Sequence, residues 1–185
     1  MSEWMEQEKV STEMGSLVLT VGHSTLPVQE FIALLRENGV SRIIDVRTIP
    51  RSRHNPQFNR DIFPENLAQA GIRYTHMPGL GGLRHAKVDS PNRGWRNDSF
   101  RGFADYMQTD EFANSIEQLL EYSSLERVAL MCAEAVPWRC HRSLIADALL
   151  LKGVRVVHII GKAKRVDHKI TPFVRIAGDT ITYPS

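Results

Sequence analysis

Residues 16 to 46, "SLVLTVGHSTLPVQEFIALLRENGVSRIIDV", decide the fold class. The first seven form an apolar run closed by Gly22, the length of a strand buried on both faces. The period then changes, and Val28, Phe31, Ile32 and Leu35 recur at the spacing that places them on one face of a helix. Ser24 or Thr25 is expected to cap that helix, Pro27 to lie in its first turn and Gly39 to end it. "RIIDV" (42–46) restores a strand. Two strands joined through a helix predict a parallel pair with a right-handed crossover.

The pattern continues along the chain. A short helix is expected near 63–70, stopped by Gly71, followed by the strand "IRYTHM" (72–77). Two amphipathic helices are expected near 99–108 and 110–122. The strand "RVALMC" (127–132), a helix over 141–152 and the strand "VRVVHII" (154–160) come next. The tail "PFVRIAGDTITYP" reads as a hairpin turning at "AGDT". These elements predict an α/β fold, a three-layer sandwich with a mostly parallel sheet of about five strands and a C-terminal β-hairpin. Residues 16–185 are expected to form a single domain and residues 1–15, "MSEWMEQEKVSTEMG", a disordered extension, since 185 residues with 42% apolar content suit one core.

In parallel sheets ligands bind beyond the carboxyl ends of the strands, so what leaves each strand tests for a site. The first strand delivers "GHST" (22–25) and the second "DVRTIPRSRHNPQFN". The third delivers "HMPGLGGLRH", the fourth "CAEAVPWRCHR" (132–142) and the fifth "GKAKR". The opposite ends offer "ENGVS", "QAG", "SSLE" and "LKG", so the chemically capable residues fall on one edge.

The 23 basic residues divide into 17 arginines and 6 lysines, although the net charge is only +2. Arginine is the residue that grips carboxylates and phosphates with two parallel bonds. Arg47, Arg51 and Arg53 crowd one strand-end loop and Arg139 and Arg142 another, and converging cations call for an anion. His23, Ser24, Gly81 and Gly82 are grouped with them as ligand-binding residues, the glycines because they could expose backbone N–H groups. The same glycines, with Trp95 in the irregular stretch 78–98, suggest a hinged lid.

Glu134, Cys140, His141 and Cys132 are the candidates for chemistry. Cys140 is placed where a helix begins, beside Arg139 and Arg142, a setting that favours thiolate. Cys132 closes an apolar strand, where a thiol is expected to be shielded. Glu134 lies among arginines and reads either as an ion-pair partner or as a general base. Cys132, Cys140, His141 and His23 could converge on a metal, but their spacing is not that of a zinc knuckle or ribbon, so neither metal nor cofactor is expected.

The motifs "TVGHST", "DVRTIPRSR", "PGLGG" and "MCAE" followed by "CHR" resemble domain-of-unknown-function family 488 over roughly residues 17–184. That resemblance implies a small α/β domain of bacteria and archaea and no established reaction. A fainter similarity is to the rhodanese fold, where an "IDVR" strand precedes a strand ending in a nucleophilic cysteine. The loop after Cys132 is longer than the rhodanese cradle.

The sequence therefore predicts an Arg-rich pocket for an anionic small molecule or nucleotide, in an enzyme of hydrolase or transferase type acting on a phosphorylated or nucleotide-like substrate. A non-catalytic nucleotide or nucleic-acid module and a thiol-dependent sulfurtransferase or redox protein are the alternatives. Two cysteines, no long apolar run and an acidic polar start point to a cytoplasmic location with no membrane partner. Nothing in the sequence fixes an oligomeric state.

Overall fold

A computed structural model describes residues 16–185, and the expected extension over residues 1–15 lies outside the described residues. β1 (Leu17–Gly22) enters the middle of the sheet, and α1 (Val28–Glu37) follows it, burying Phe31 and Leu35. β2 (Arg42–Asp45), α2 (Phe63–Gln69) and β3 (Arg73–His76) complete the first half. The second half runs α3 (Asp98–Tyr106), α4 (Asp110–Leu125), β4 (Val128–Cys132), α5 (Arg142–Leu151) and β5 (Arg155–Gly161). β6 (Lys164–Asp167) and the hairpin β7 (Arg175–Ala177) and β8 (Thr180–Thr182) close the chain.

The strand order is β3-β2-β4-β1-β5-β6, parallel throughout except that β6 runs against β5. The sheet thus has six strands where about five were expected. "KRVD" forms the sixth while fully exposed, so it carries none of the apolar alternation by which a strand is read from sequence. Phe31, Leu35, Phe63 and Leu67 of α1 and α2 pack on Leu19, Val21, Ile43 and Met131 at one face of the sheet. Phe103, Phe112, Ile116, Leu144 and Leu149 of α3, α4 and α5 pack on Val18, Ile44, Leu130 and Val156 at the other, giving the three layers. No helix among the described residues is long and apolar enough to cross a membrane.

The start of α1 differs from the expectation. Its N-cap is Pro27 and no side chain caps it, while Ser24 is held at φ 47 with its N–H donated to the carbonyl of Ala133. Ser24 and Thr25 precede the helix by too much to reach its first amides, and the backbone around Ser24 serves the loop after β4 instead. His23 N–H likewise donates to the Cys132 carbonyl at 3.0 Å. Gly22 makes this seam possible, because a Cβ there would run into the backbone carbonyl of Glu134.

Backbone cannot yield as a flexible side chain can. Gly22→Ala is therefore expected to cost about 2–3 kcal/mol, the upper range for overpacking. A lowered urea midpoint at unchanged m-value would report this, and a midpoint equal to wild type would contradict it.

Candidate functional site

β4 lies between β1 and β2, and its loop departs towards α5 while α1 and α2, which follow its neighbours, cover the opposite face. A crevice opens where adjacent strands send their connections to opposite faces. A cavity of about 340 Å³ lies there, and Gly82, Cys132, Glu134, Arg139, Cys140 and His141 are among the residues that line it.

Cys132 ends β4, the turn Pro137–Arg139 leads to Cys140, and His141 stands at the N-cap of α5. The sulfurs of Cys132 and Cys140 and a ring nitrogen of His141 all lie within 4.8 Å of one another. His141 Nε2 lies 3.1 Å from the Val46 carbonyl, which can only accept, so Nε2 carries the proton and Nδ1 offers a lone pair. Nδ1 lies 3.6 Å from Cys140 Sγ. Burial lowers the pKa of His141 and keeps the ring neutral. A hydrogen bond from Cys132 brings the Cys140 thiol down to about 6, with further help from Arg142, whose Nε lies 3.4 Å from Cys140 Sγ. The same bond, together with burial, pushes Cys132 far up. The pair therefore holds one proton between two sulfurs, on Cys132.

Arg142 is 1% exposed and is the largest fully buried side chain described. Besides Cys140 it reaches the Glu134 carbonyl through Nη2 and the Thr20 hydroxyl, at 3.2 Å, through Nη1. From Thr20 a chain of contacts continues to His158 Nδ1 at 2.7 Å, from His158 Nε2 to His168 Nδ1 at 2.9 Å, and from His168 Nε2 to Asp147 at 2.8 Å. One proton arrangement satisfies every member. Arg142 can only donate to Thr20, and with the hydroxyl proton directed to His158 Nδ1 each ring in turn passes an N–H onward toward the carboxylate. Asp147 also accepts from the Tyr183 hydroxyl at 2.8 Å and the Thr171 N–H at 3.0 Å. The chain thus runs unbroken from a buried guanidinium to a buried carboxylate. Burial, then the neighbouring His168 and Arg142, brings His158 down to about 3.

Two further expected ligand-binding residues are engaged internally. Arg47 is buried and gives Nε and Nη2 to the two oxygens of Asp45 at 2.9 and 2.6 Å, and Nη2 also reaches the Phe58 carbonyl at 2.7 Å. Its Nη1 lies 3.3 Å from His23 Nε2. His23 donates from Nδ1 to the Ser24 carbonyl at 2.8 Å and stacks on Phe58. Burial brings His23 down to about 4, so its Nε2 accepts from Arg47. His23 and Arg47 hold each other and the base of the loop, and Ser24 contributes backbone alone.

Arg51 and Arg53 are exposed and border a neighbouring depression that shares Ile49 with the central cavity. Arg139 is exposed and makes no ion pair among the described residues. Nor does Glu134, whose carboxylate accepts only from the Val136 N–H at 3.3 Å, so the expected ion pair with Arg47, Arg139 or Arg142 is not formed. The "PGLGG" glycines do not take left-handed conformations, and Gly81 N–H is spent on the Pro78 carbonyl. Gly82 is required for close approach, because a Cβ there would lie 2.5 Å from His141 Nδ1. The stretch expected to act as a lid is tied down. Lys87 N–H, Ser90 and Asn92 all donate to Asp105, and Trp95 packs against Phe100, Phe173 and Tyr183.

The sequence reading missed Thr20, Asp147, His158, His168 and Tyr183. A signal existed for two of them, since His158 interrupts the apolar strand "VRVVHII" and Asp147 the apolar helix "SLIADALLL". Ionisable groups at such positions need partners, and His158 finds Thr20 and His168 while Asp147 finds His168, Thr171 and Tyr183.

A parallel α/β domain with a thiol–imidazole cluster at its switch point is the class of protein that these features define. The family model described as Domain of unknown function DUF488 matches residues 27–149, and the chain belongs to that family. No curated protein and no solved structure matches, and the likeness to the rhodanese fold rests on the sequence motifs alone.

Removing Asp147 would leave His168, the Thr171 N–H and the Tyr183 hydroxyl without their buried acceptor. Asp147→Ala is expected to cost about 3–5 kcal/mol and Tyr183→Phe, which removes one donor, about 1–2 kcal/mol. Equal urea midpoints for the two variants would show that the contacts of Asp147 with His168 and Thr171 add nothing to its bond with Tyr183.

The two depressed histidines also set a pH dependence. Below pH 6.5 the unfolded chain takes up protons that folded His23 and His158 refuse until about 4 and about 3. Their contribution is whole above about pH 6.5 and falls as pH drops through that window, by at most about 1.4 kcal/mol per pH unit for each ring. Urea midpoints should fall between pH 7 and 4.5, and a level profile would refute the neutral assignment.

Proposed function

We propose that the strand-end cavity is the active site of an enzyme acting on a phosphorylated or nucleotide-like substrate. The observation that carries this is a reactive cluster set between two cationic depressions. On one side, Ile49 is shared with the depression bearing Arg51 and Arg53. On the other, Leu83 and Ser99 are shared with a larger one, about 870 Å³, bearing Arg84, Lys87, Arg93 and Arg101. Of these cations Arg101 alone has a carboxylate partner among the described residues, Asp98. At the other end of the strands, by contrast, Arg42 and Arg73 converge on Glu126 at 2.7 and 2.6 Å, and Arg155 meets Asp167 at 2.8 Å. The Arg84 guanidinium stacks on Tyr106 and donates to the Gly81 and Pro78 carbonyls, whereas Arg51, Arg53, Lys87 and Arg93 have no carboxylate partner among the described residues and are free to take an external anion.

In this reading Arg139 and the flanking cations hold the phosphate. Cys132, Cys140 and His141 form the reacting centre, and Glu134, on the same cavity wall with its carboxylate unpaired by any cation, accepts the proton. Buried Arg142 and Arg47 position these groups and do not touch the substrate.

Thermal-shift titrations with inorganic phosphate, adenosine monophosphate and a short single-stranded oligonucleotide would test the reading. At least one should raise Tm, and a concentration of 100 Kd would add about 2.7 kcal/mol. Arg139→Ala should weaken that ligand about tenfold, the loss of one charged hydrogen bond. Glu134→Gln should retain binding and lose conversion of the ligand, followed by chromatography. No shift with any of the three would defeat the proposal. Binding of the oligonucleotide alone, steeply weakened by salt and without turnover, would favour a nucleic-acid module instead.

A further inference from the structure

We infer that Cys132, Cys140 and His141 bind one zinc ion, with the fourth coordination position open to the strand-end cavity. Three features of the site point to it. The first is convergence: one sulfur from the end of β4 and, from the adjoining start of α5, a second sulfur and an imidazole nitrogen lie within 4.8 Å of one another, a separation that a tetrahedral centre with bonds of about 2.0–2.3 Å can draw together with small side-chain adjustments.

The second is the orientation of His141. Zinc-binding imidazoles characteristically give their other ring N–H to a carbonyl or carboxylate, which fixes the tautomer and aims the lone pair. His141 does this through Nε2 and the Val46 carbonyl, and its Nδ1 faces Cys140 Sγ. Gly82 keeps the space before Nδ1 clear, because any side chain there would fill it. The third is the outer shell of Cys140, whose sulfur lies 3.4 Å from Arg142 Nε. That contact tempers the charge of two thiolates on one ion.

The donor set selects the metal class. Two thiolates and an imidazole suit zinc, whereas magnesium and calcium want oxygen. Three protein ligands are the number found in catalytic zinc sites, where the remaining position holds water or substrate. All three ligands line the same cavity as Glu134, so that position faces the proposed substrate. The ion's role in catalysis rests on the function proposed above, but its binding does not.

The full-length chain, purified under reducing conditions and stripped with a chelator, would be titrated with cobalt(II) and with zinc. One equivalent should bind per chain. The cobalt form should show thiolate-to-cobalt charge-transfer absorption in the near ultraviolet and the intense visible bands of a four-coordinate centre. Cys132→Ser and Cys140→Ser should each weaken cobalt binding by more than an order of magnitude and reduce the charge-transfer band, with folding checked by far-ultraviolet circular dichroism. Because either variant could fail to fold, wild-type protein provides a second measurement: equimolar zinc should protect both cysteines from iodoacetamide, and chelator should undo the protection.

Absence of charge-transfer absorption, or cobalt binding unchanged in both variants, would overturn the inference. So would alkylation at the same rate with and without zinc. Adding inorganic phosphate to the cobalt protein separates this from the functional reading. Cobalt uptake with no response to any anion would sustain the metal site and defeat the substrate assignment, and anion binding by a protein that takes up no cobalt would do the reverse.

Discussion

The burial of Arg142 is the constraint on which the rest of this structure depends. A guanidinium taken out of water must find a partner for its N–H groups and a counter-charge, or the fold loses several kcal/mol. Its donors go to the Cys140 sulfur, whose thiolate form it favours, to the Glu134 carbonyl and to Thr20, from which a hydrogen-bonded chain continues through His158 and His168 to Asp147. Those partners belong to β1, the loop after β4, α5, β5 and the segment beyond β6. One side chain therefore ties the loop that carries the cysteines to four other parts of the chain. The C-terminal tail is drawn in as well, because Tyr183 donates to the same carboxylate.

A second buried cation repeats the arrangement on the neighbouring strand. Arg47 is neutralised directly by Asp45, and Tyr74 adds a hydrogen bond to the same carboxylate at 2.7 Å. Burial, with a smaller push from these two arginines, keeps the nearby imidazoles of His23 and His158 neutral. The arginines divide by depth: the buried Arg47 and Arg142 support the walls, and Arg51, Arg53 and Arg139 remain at the surface.

The location of the cluster follows from topology. β4 is flanked on both sides by strands whose following helices cover the opposite face, so the start of its own helix, α5, is the helix end that meets its carboxyl terminus. The seam is nonetheless tight, because Gly22 and Gly82 let backbone approach from both sides. Tightness gives the three ligand atoms their fixed separation, and the open switch point gives them access.

The sequence alone determined the α/β class and the mostly parallel strands, because these follow from hydrophobic period. It also placed Cys132, Glu134, Cys140 and His141 together, since all lie within ten positions of one strand end. It could not show the sixth strand, whose backbone pairing leaves no apolar trace, nor that Ser24 serves the β4 loop and not the helix cap. Above all it could not sort the arginines. Arg47, Arg139 and Arg142 look alike in a strand-end loop, and what sets Arg47 and Arg142 apart is internal partners 2 to 122 positions away. Only folding brings Thr20 beside His158 and His168 beside Asp147, and only then does desolvation decide which charges must be satisfied inside and which stay free for an anion.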